Sequence, residues 1–264
     1  MLRTRVLTAL VALPPVVAAA WLGHPWLTLL VALALAGGAY EFARLAVRAG
    51  HQVPSVVCTV AAGLFALEAG FTQGRYREAL VALILLGWAI WYVFHAHSPT
   101  RTEAWALSTL SVLYVGFLGS YLVSLRLLSD GLAWLALGVL TVWLSDTGAY
   151  LVGRQWGRSK MAPHLSPKKT WLGAVGGLVA GLLGGALVAW IGGLPPVHGL
   201  GVVALVGLIC PFGDLIISMI KRQTGVKDSG TLFPGHGGLL DRLDTLLFVG
   251  PLAYYYAVLV AGVA

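Results

Sequence analysis

Long apolar segments separated by short polar ones run through the whole chain. Nine of them approach the roughly 20 apolar residues that a helix needs to cross a bilayer: residues 6–22, 26–47, 54–71, 78–95, 105–127, 131–153, 170–191, 197–220 and 246–263. The alternation typical of transmembrane barrel strands is not evident, so strands are not expected. The pattern predicts an all-α, polytopic transmembrane protein of about nine helices, with residues 1–264 forming one membrane domain.

The first segment allows a second interpretation. Arg3 and Arg5 precede it and three alanines lie near its end, an arrangement that resembles a signal peptide. The apolar run spans most of a bilayer, however, and many similar runs follow it, which favours a first transmembrane helix.

In segment 170–191, small residues recur at helical spacing, which predicts close helix packing, with a flexible hinge as the alternative: Gly173, Gly176, Gly177, Gly181, Gly184 and Gly185.

Composition supports the membrane interpretation. Hydrophobic types make up 58% of the 264 residues and charged types only 10%, whereas soluble domains carry roughly 25% charged residues. Such a chain lacks the charge to cover a water-facing surface. The net charge of +7 fits contact with anionic lipid headgroups, and no nucleic-acid partner is expected.

The positive charges predict an orientation. If the nine helices alternate in direction, 14 of the 17 Lys and Arg residues lie on the side of the N-terminus, and only Arg75, Arg77 and Arg126 lie on the other. Because positive loops stay inside, the N-terminus and the two basic loops should be cytoplasmic. The protein should reside in the cell (inner) membrane, with its C-terminus on the outer side.

Two acids interrupt apolar segments near their cytoplasmic ends. Asp146 and Asp214 each lie about two turns from the end of a predicted helix, and an acid inside a membrane costs about 2.5–3.5 kcal/mol on insertion scales unless it has a partner. One interpretation is a pair of buried salt bridges with Lys or Arg. The other is a Mg²⁺ site formed by Asp146, Asp214 and Asp241, because carboxylates without His or Cys suit a hard cation.

Asp241 and Asp244 lie three residues apart, so on a helix they share a face while Arg242 points elsewhere. Asp241 would then line the site. Asp244 is either a further metal ligand or a charge that favours the start of the next helix.

A glycine-rich loop precedes these two acids. Glycines allow backbone N–H groups to approach a phosphate closely, although such a loop alone would be no more than a turn. The cations around it favour phosphate binding and metal-assisted phosphoryl or nucleotidyl transfer. The residues concerned are Gly235, His236, Gly237, Gly238, Lys221, Arg222, Lys227 and Arg242, with Lys168 and Lys169 from the upstream loop.

Residues 218–244 resemble the signature of the phosphatidate cytidylyltransferase family, the CDP-diacylglycerol synthases. The resemblance rests on Ser218, Lys221, Arg222, Lys227, Asp228, Gly230, Pro234, Gly235, His236, Gly237, Gly238, Asp241, Arg242 and Asp244. Segments 145–150 and 166–170 and the pair Gly213-Asp214 resemble that family too. Leu172 and Ile217 stand where the family often has acidic residues, which alters the polarity near the site without removing any residue assigned to it.

The resemblance implies that CTP and phosphatidic acid react to give CDP-diacylglycerol and pyrophosphate. It also implies a Mg²⁺ cofactor and a homodimer that is surrounded by membrane lipids. A second metal cation is left open. By this likeness, Asp146, Asp214 and Asp241 fall where the family places its metal-associated acids.

The nearest rival function is that of a CTP-dependent lipid kinase, which transfers the γ-phosphate. An ion-coupled transporter is the rival from another class, because intramembrane acids and glycine-rich helices occur there as well.

Overall fold

The computed structural model describes residues 2–95, 99–230, 232 and 237–263, and for residues 2–7, 9, 95 and 210 it describes the backbone alone. Gly235 and His236, two of the predicted phosphate-binding residues, lie outside the described residues. The chain divides into two compact units. The first unit comprises Met1–Leu127 and Ile220–Leu243, and the second comprises Leu128–Met219 and Asp244–Ala264.

Helices account for most of the described chain. They are α1 (Leu2–Leu22), α2 (Trp26–Arg48), α3 (Ser55–Phe71), α4 (Arg77–His95), α5 (Arg101–Leu110), α6 (Leu118–Leu127), α7 (Gly131–Trp156), α8 (Trp171–Ile191), α9 (Pro196–Gln223), α10 (Leu240–Leu243) and α11 (Leu246–Leu259). A π-helical stretch, Ser111–Phe117, joins α5 to α6. Each apolar segment of the sequence therefore coincides with a helix, and most bounds agree within a few residues.

Six of the described helices are long and apolar enough to cross a membrane. They are Trp26–Arg48, Arg77–Phe94, Arg101–Leu127, Gly131–Trp156, Trp171–Ile191 and Pro196–Gln223. Two further apolar helices, Leu10–Leu22 and Ser55–Phe71, are shorter. The prediction of a polytopic helical membrane protein is confirmed in this form, and the count of nine spans stays a prediction.

One β-hairpin departs from the expectation that strands are absent. Strand β1 (Lys160–Ala162) pairs antiparallel with β2 (Ser166–Thr170), and Ala162 lies opposite Ser166. Both of these residues precede a proline, and a residue in that position is driven out of the α-helical region into an extended conformation. The hairpin lies in the polar loop between α7 and α8, where the apolar pattern carries no information.

In the first unit, α2 packs along α3. Phe42 and Phe65 are fully buried there. A Cβ atom added at Gly116, in the π-helical stretch, would lie 2.6 Å from the Cα atom of Ala62 on α3. The absence of a side chain at residue 116 therefore lets the two backbones meet.

In the second unit, α7 and α8 form the most extensive helix contact, and the glycines of α8 are the reason. A Cβ atom added at Gly177 would lie 2.8 Å from the carbonyl oxygen of Ser145, and one added at Gly173 would lie 2.9 Å from that of Ala149. At each of the other four glycines predicted for close packing in this segment, an added Cβ atom would lie 3.0 Å or less from a side chain of α7 or α9. That prediction is confirmed.

Candidate active-site clusters

The first unit holds a buried ion pair between the end of α9 and α10. Lys221 Nζ donates to Asp241 Oδ1 at 2.6 Å. The two side chains are 10% and 7% exposed. Each of these buried charges therefore needs the other as its partner, because an unpaired charge in a buried position is strongly disfavoured.

The second oxygen of Asp241 holds the chain that precedes α10. Asp241 Oδ2 accepts from the backbone N–H of Ser229 at 2.9 Å, from the Ser229 hydroxyl at 3.0 Å and from the N–H of Gly238 at 2.9 Å. Burial raises the pKa of Asp241, but the hydrogen bonds from Lys221, Gly238 and Ser229 outweigh it, so the pKa lies below its ordinary value.

The glycines of the loop make room for this carboxylate. Gly237 has φ +84°, and a Cβ atom added there would lie 2.6 Å from Asp241 Oδ2. Residue 237 must therefore be glycine for both backbone and steric reasons. The N–H of Gly238 binds an internal carboxylate, so in this structure it serves to hold Asp241.

Glu41 completes the cluster, and sequence reasoning missed it. Its Oε1 accepts from the N–H of Leu239 at 2.9 Å, and its Oε2 accepts from the N–H of Leu240 at 2.9 Å and from the Ser229 hydroxyl at 2.7 Å. A signal was available, because Glu41 is the only acid in the apolar helix α2. The argument applied to Asp146 and Asp214 applies equally to Glu41.

The second unit holds a more open cluster around Asp214. Lys169 Nζ lies 2.9 Å from Asp214 Oδ2 and donates to the carbonyl oxygen of Pro211 at 3.0 Å. The Ser218 hydroxyl donates to Asp214 Oδ1 at 3.3 Å. The side chains of Lys169 and Asp214 are 25% and 38% exposed, so this carboxylate is far more accessible than that of Asp241.

The remaining predicted residues that the structure describes differ in their surroundings. Asp146 is exposed on α7. Asp244 accepts from the N–H of Thr245 at 2.7 Å and from its hydroxyl at 3.3 Å, contacts that suit a charge near the start of α11. The Arg222 side chain donates to the carbonyl of Val226 at 2.9 Å. Exposed cationic side chains complete the set: Lys168, Arg222, Lys227 and Arg242.

The acids differ in how well they fit a metal ion. Within the described part of each unit, no group of three or more His, Cys, Asp and Glu side chains is arranged to hold one. Mg²⁺ commonly uses one or two carboxylates together with substrate phosphates, so the accessible Asp214 fits. For Asp241 a metal role would first require Lys221 to leave Oδ1, and that assignment stays a prediction.

Several apolar helices are long enough to span a membrane, and the C-terminal half of α9 carries a carboxylate and cations. These features define an integral membrane protein with the side chains for phosphate chemistry. Comparison with known sequences makes this specific. A profile described as the cytidylyltransferase family matches residues 3–260. The chain belongs to that family, as its motifs indicated.

Named relatives agree with this assignment. The phosphatidate cytidylyltransferase of Synechocystis sp. is 31% identical over 98% of this chain and 97% of its own length. That of Bacillus subtilis is 34% identical over 69% and 67%, and that of Brucella suis is 47% identical over 46% and 45%. Neither the kinase nor the transporter alternative gains support.

Proposed function

We propose that the chain transfers the cytidylyl group of CTP to phosphatidic acid, giving CDP-diacylglycerol and pyrophosphate for phospholipid synthesis. The observation that carries the proposal is the similarity to a phosphatidate cytidylyltransferase along almost the whole chain. The residue types of both clusters suit the same reaction, because the transfer brings several phosphate charges together.

The chemistry needs charge compensation more than it needs a base. A phosphate oxygen of phosphatidic acid is already anionic, so it attacks the α-phosphorus of CTP directly. A bond forms between that oxygen and the α-phosphorus, and the bond from the α-phosphorus to the bridging oxygen breaks as pyrophosphate leaves. No proton has to move and no covalent enzyme intermediate is required. The main barrier is crowding of negative charge, which preorganised cations reduce.

The cationic side chains are assigned to that compensation. Lys221 is fixed by Asp241, and its ammonium group has further donors available for a phosphate oxygen. Lys169 is fixed by Asp214 and Pro211 in a comparable way. The exposed Lys168, Arg222, Lys227 and Arg242 add positive charge that attracts an anionic nucleotide.

Mg²⁺ is proposed to bind at Asp214, with Ser218 beside the carboxylate. When bound, it would neutralise phosphate charge and polarise phosphoryl oxygens. The protein's part is to keep the Asp214 carboxylate oriented and accessible. Lys169 provides a countercharge for this carboxylate.

Contacts inside each unit support nine alternating spans. In the first unit, Glu41 near the end of α2 binds Ser229, and the charge count puts both residues on the cytoplasmic side. Arg126 at the end of α6 donates to the carbonyl of Ala20, and both fall on the opposite side.

The second unit shows the same agreement. The ring centroids of His198 and Tyr256 lie 5.9 Å apart, and both residues fall in the outer halves of their predicted spans. We propose that the protein resides in the cell membrane with a cytoplasmic N-terminus and an external C-terminus. A homodimer is also proposed, on the family resemblance alone.

The proposal is tested by measuring pyrophosphate release from purified protein in detergent. Release should require both CTP and phosphatidic acid and should match CDP-diacylglycerol formation one to one. Diacylglycerol in place of phosphatidic acid is the matched control and should release none. Release of CDP instead of pyrophosphate would refute cytidylyl transfer.

A further inference from the structure

Glu41 binds groups that lie far away along the chain, at separations of 188, 198 and 199 residues. Nothing in the proposed chemistry requires this carboxylate to touch a substrate. We infer that Glu41 is a positioning residue, which holds both ends of the glycine loop (residues 230–238) and through them sets the Asp241–Lys221 pair. Only the expected change in the KM for CTP rests on the proposed function.

The contacts fall on both sides of the loop. Ser229 precedes it, whereas Leu239 and Leu240 follow it, and one carboxylate accepts from all three residues. Bringing two separate points of the chain together costs conformational entropy. Glu41 supplies the interaction that offsets this cost at the base of the loop.

The same residues connect Glu41 to Asp241. The Ser229 hydroxyl lies 2.7 Å from Glu41 Oε2 and 3.0 Å from Asp241 Oδ2. It carries a single hydrogen, which the two carboxylates share, while its N–H binds Asp241 alone. A displacement of Glu41 would therefore shift Ser229, then Asp241, and with it the ammonium of Lys221.

Two glycines leave room for the Glu41 carboxylate. A Cβ atom added at Gly230 or at Gly238 would collide with the carboxylate of Glu41. Both oxygens of Glu41 face donors only, and three separate groups supply them. Glutamine in place of Glu41 would turn an NH₂ group toward at least one N–H or O–H donor, and that hydrogen bond would be lost.

Glu41→Gln is the decisive variant, and Glu68→Gln is its matched control. Glu68 is also an acid in an apolar helix of the first unit, but its carboxylate accepts from Thr72 and Tyr76 and pairs with Arg77 instead. The two readouts are hydrogen exchange of the backbone amides in residues 237–243 and the KM for CTP. The KM does not depend on the fraction of folded enzyme, so a merely structural loss would leave it unchanged.

We expect Glu41→Gln to speed exchange at Leu239 and Leu240 and to raise the KM for CTP, each by about tenfold, the factor equivalent to about 1.4 kcal/mol. Ser229→Ala, which removes one donor and keeps the charge, should shift the KM in the same direction by less. Glu68→Gln should change neither readout.

Unchanged exchange in Glu41→Gln, or faster exchange with an unchanged KM for CTP, would overturn the inference. So would equal effects of Glu41→Gln and Glu68→Gln. A wild-type reaction that released CDP would refute the proposed function and leave this comparison intact. Exchange and the KM for CTP do not depend on which phosphoryl group moves.

Discussion

Asp214 and Asp241 should respond differently to the same substitution, because their surroundings differ. Asp241→Asn removes the charge beside a Lys221 side chain that is only 10% exposed. It also turns an NH₂ group toward Lys221 or toward the donors of Ser229 and Gly238. Breaking a buried pair in this way costs about 3–5 kcal/mol.

The magnitude can be converted into an unfolding temperature. For a chain of this size, 1 kcal/mol corresponds to roughly 2–4 °C, so Asp241→Asn should unfold about 6–20 °C below the wild type. Asp214→Asn breaks a pair that is 25% and 38% exposed, and such pairs contribute about 0–1 kcal/mol. Its unfolding temperature should stay within about 4 °C of the wild type.

The assay combines thermal unfolding in detergent with activity measured over a range of Mg²⁺ concentrations. Asp214→Asn should be folded and nearly inactive, with part of its activity returning at high Mg²⁺. Asp241→Asn should lose activity together with stability, and added Mg²⁺ should not restore it. The double variant Lys221→Met/Asp241→Asn should regain part of the lost stability, because no charge is left buried alone.

An Asp241→Asn protein that unfolds at the wild-type temperature would refute the structural role of the ion pair. If its activity returned with Mg²⁺ while it stayed folded, Asp241 would be a metal ligand, as the sequence alone predicts. An Asp214→Asn variant with normal activity and normal Mg²⁺ dependence would remove Asp214 from the proposed site.

Three further predictions follow from single features. The pKa of Asp241 is lowered on folding, so its contribution to stability is complete above pH 3.8 and is lost as the pH falls through the lower pKa of the folded state. Below pH 3.8, the unfolding temperature of the wild type should therefore fall more steeply with pH than that of Asp241→Asn. Parallel curves would contradict this. Gly237→Ala should impair activity more than Gly225→Ala, because both glycines have positive φ but only Gly237 has a close contact; equal losses would mean that backbone strain alone matters. A reporter fused after Arg158 should be cytoplasmic and one at the C-terminus external, and finding both on one side would disprove nine spans.

The long helices could be predicted from sequence because each of the nine apolar runs coincides with helical structure. The motif acids could be identified because acids are rare inside such runs. The partners of those acids could not be predicted: Lys221 and Asp241 lie 20 residues apart, and Glu41 and Leu240 lie 199 apart. No local pattern encodes contacts at such separations. The β-hairpin was missed because its prolines act locally within a polar loop.

Glu41 illustrates a different limit. The cost of an acid within an apolar helix could have been recognised from sequence, but its purpose depends on donors from Ser229, Leu239 and Leu240. Only the folded first unit brings these groups together. A motif search confined to the C-terminal half would overlook Glu41.

The most direct test of cytidylyl transfer follows two labelled forms of CTP in the same reaction. Purified wild-type protein is incubated with phosphatidic acid and with CTP labelled at either the α- or the γ-phosphorus, and the lipid is then extracted. We predict that the α-label enters the lipid as CDP-diacylglycerol and that the γ-label remains in water-soluble pyrophosphate. Appearance of the γ-label in the lipid, with CDP left behind, would contradict the proposed function.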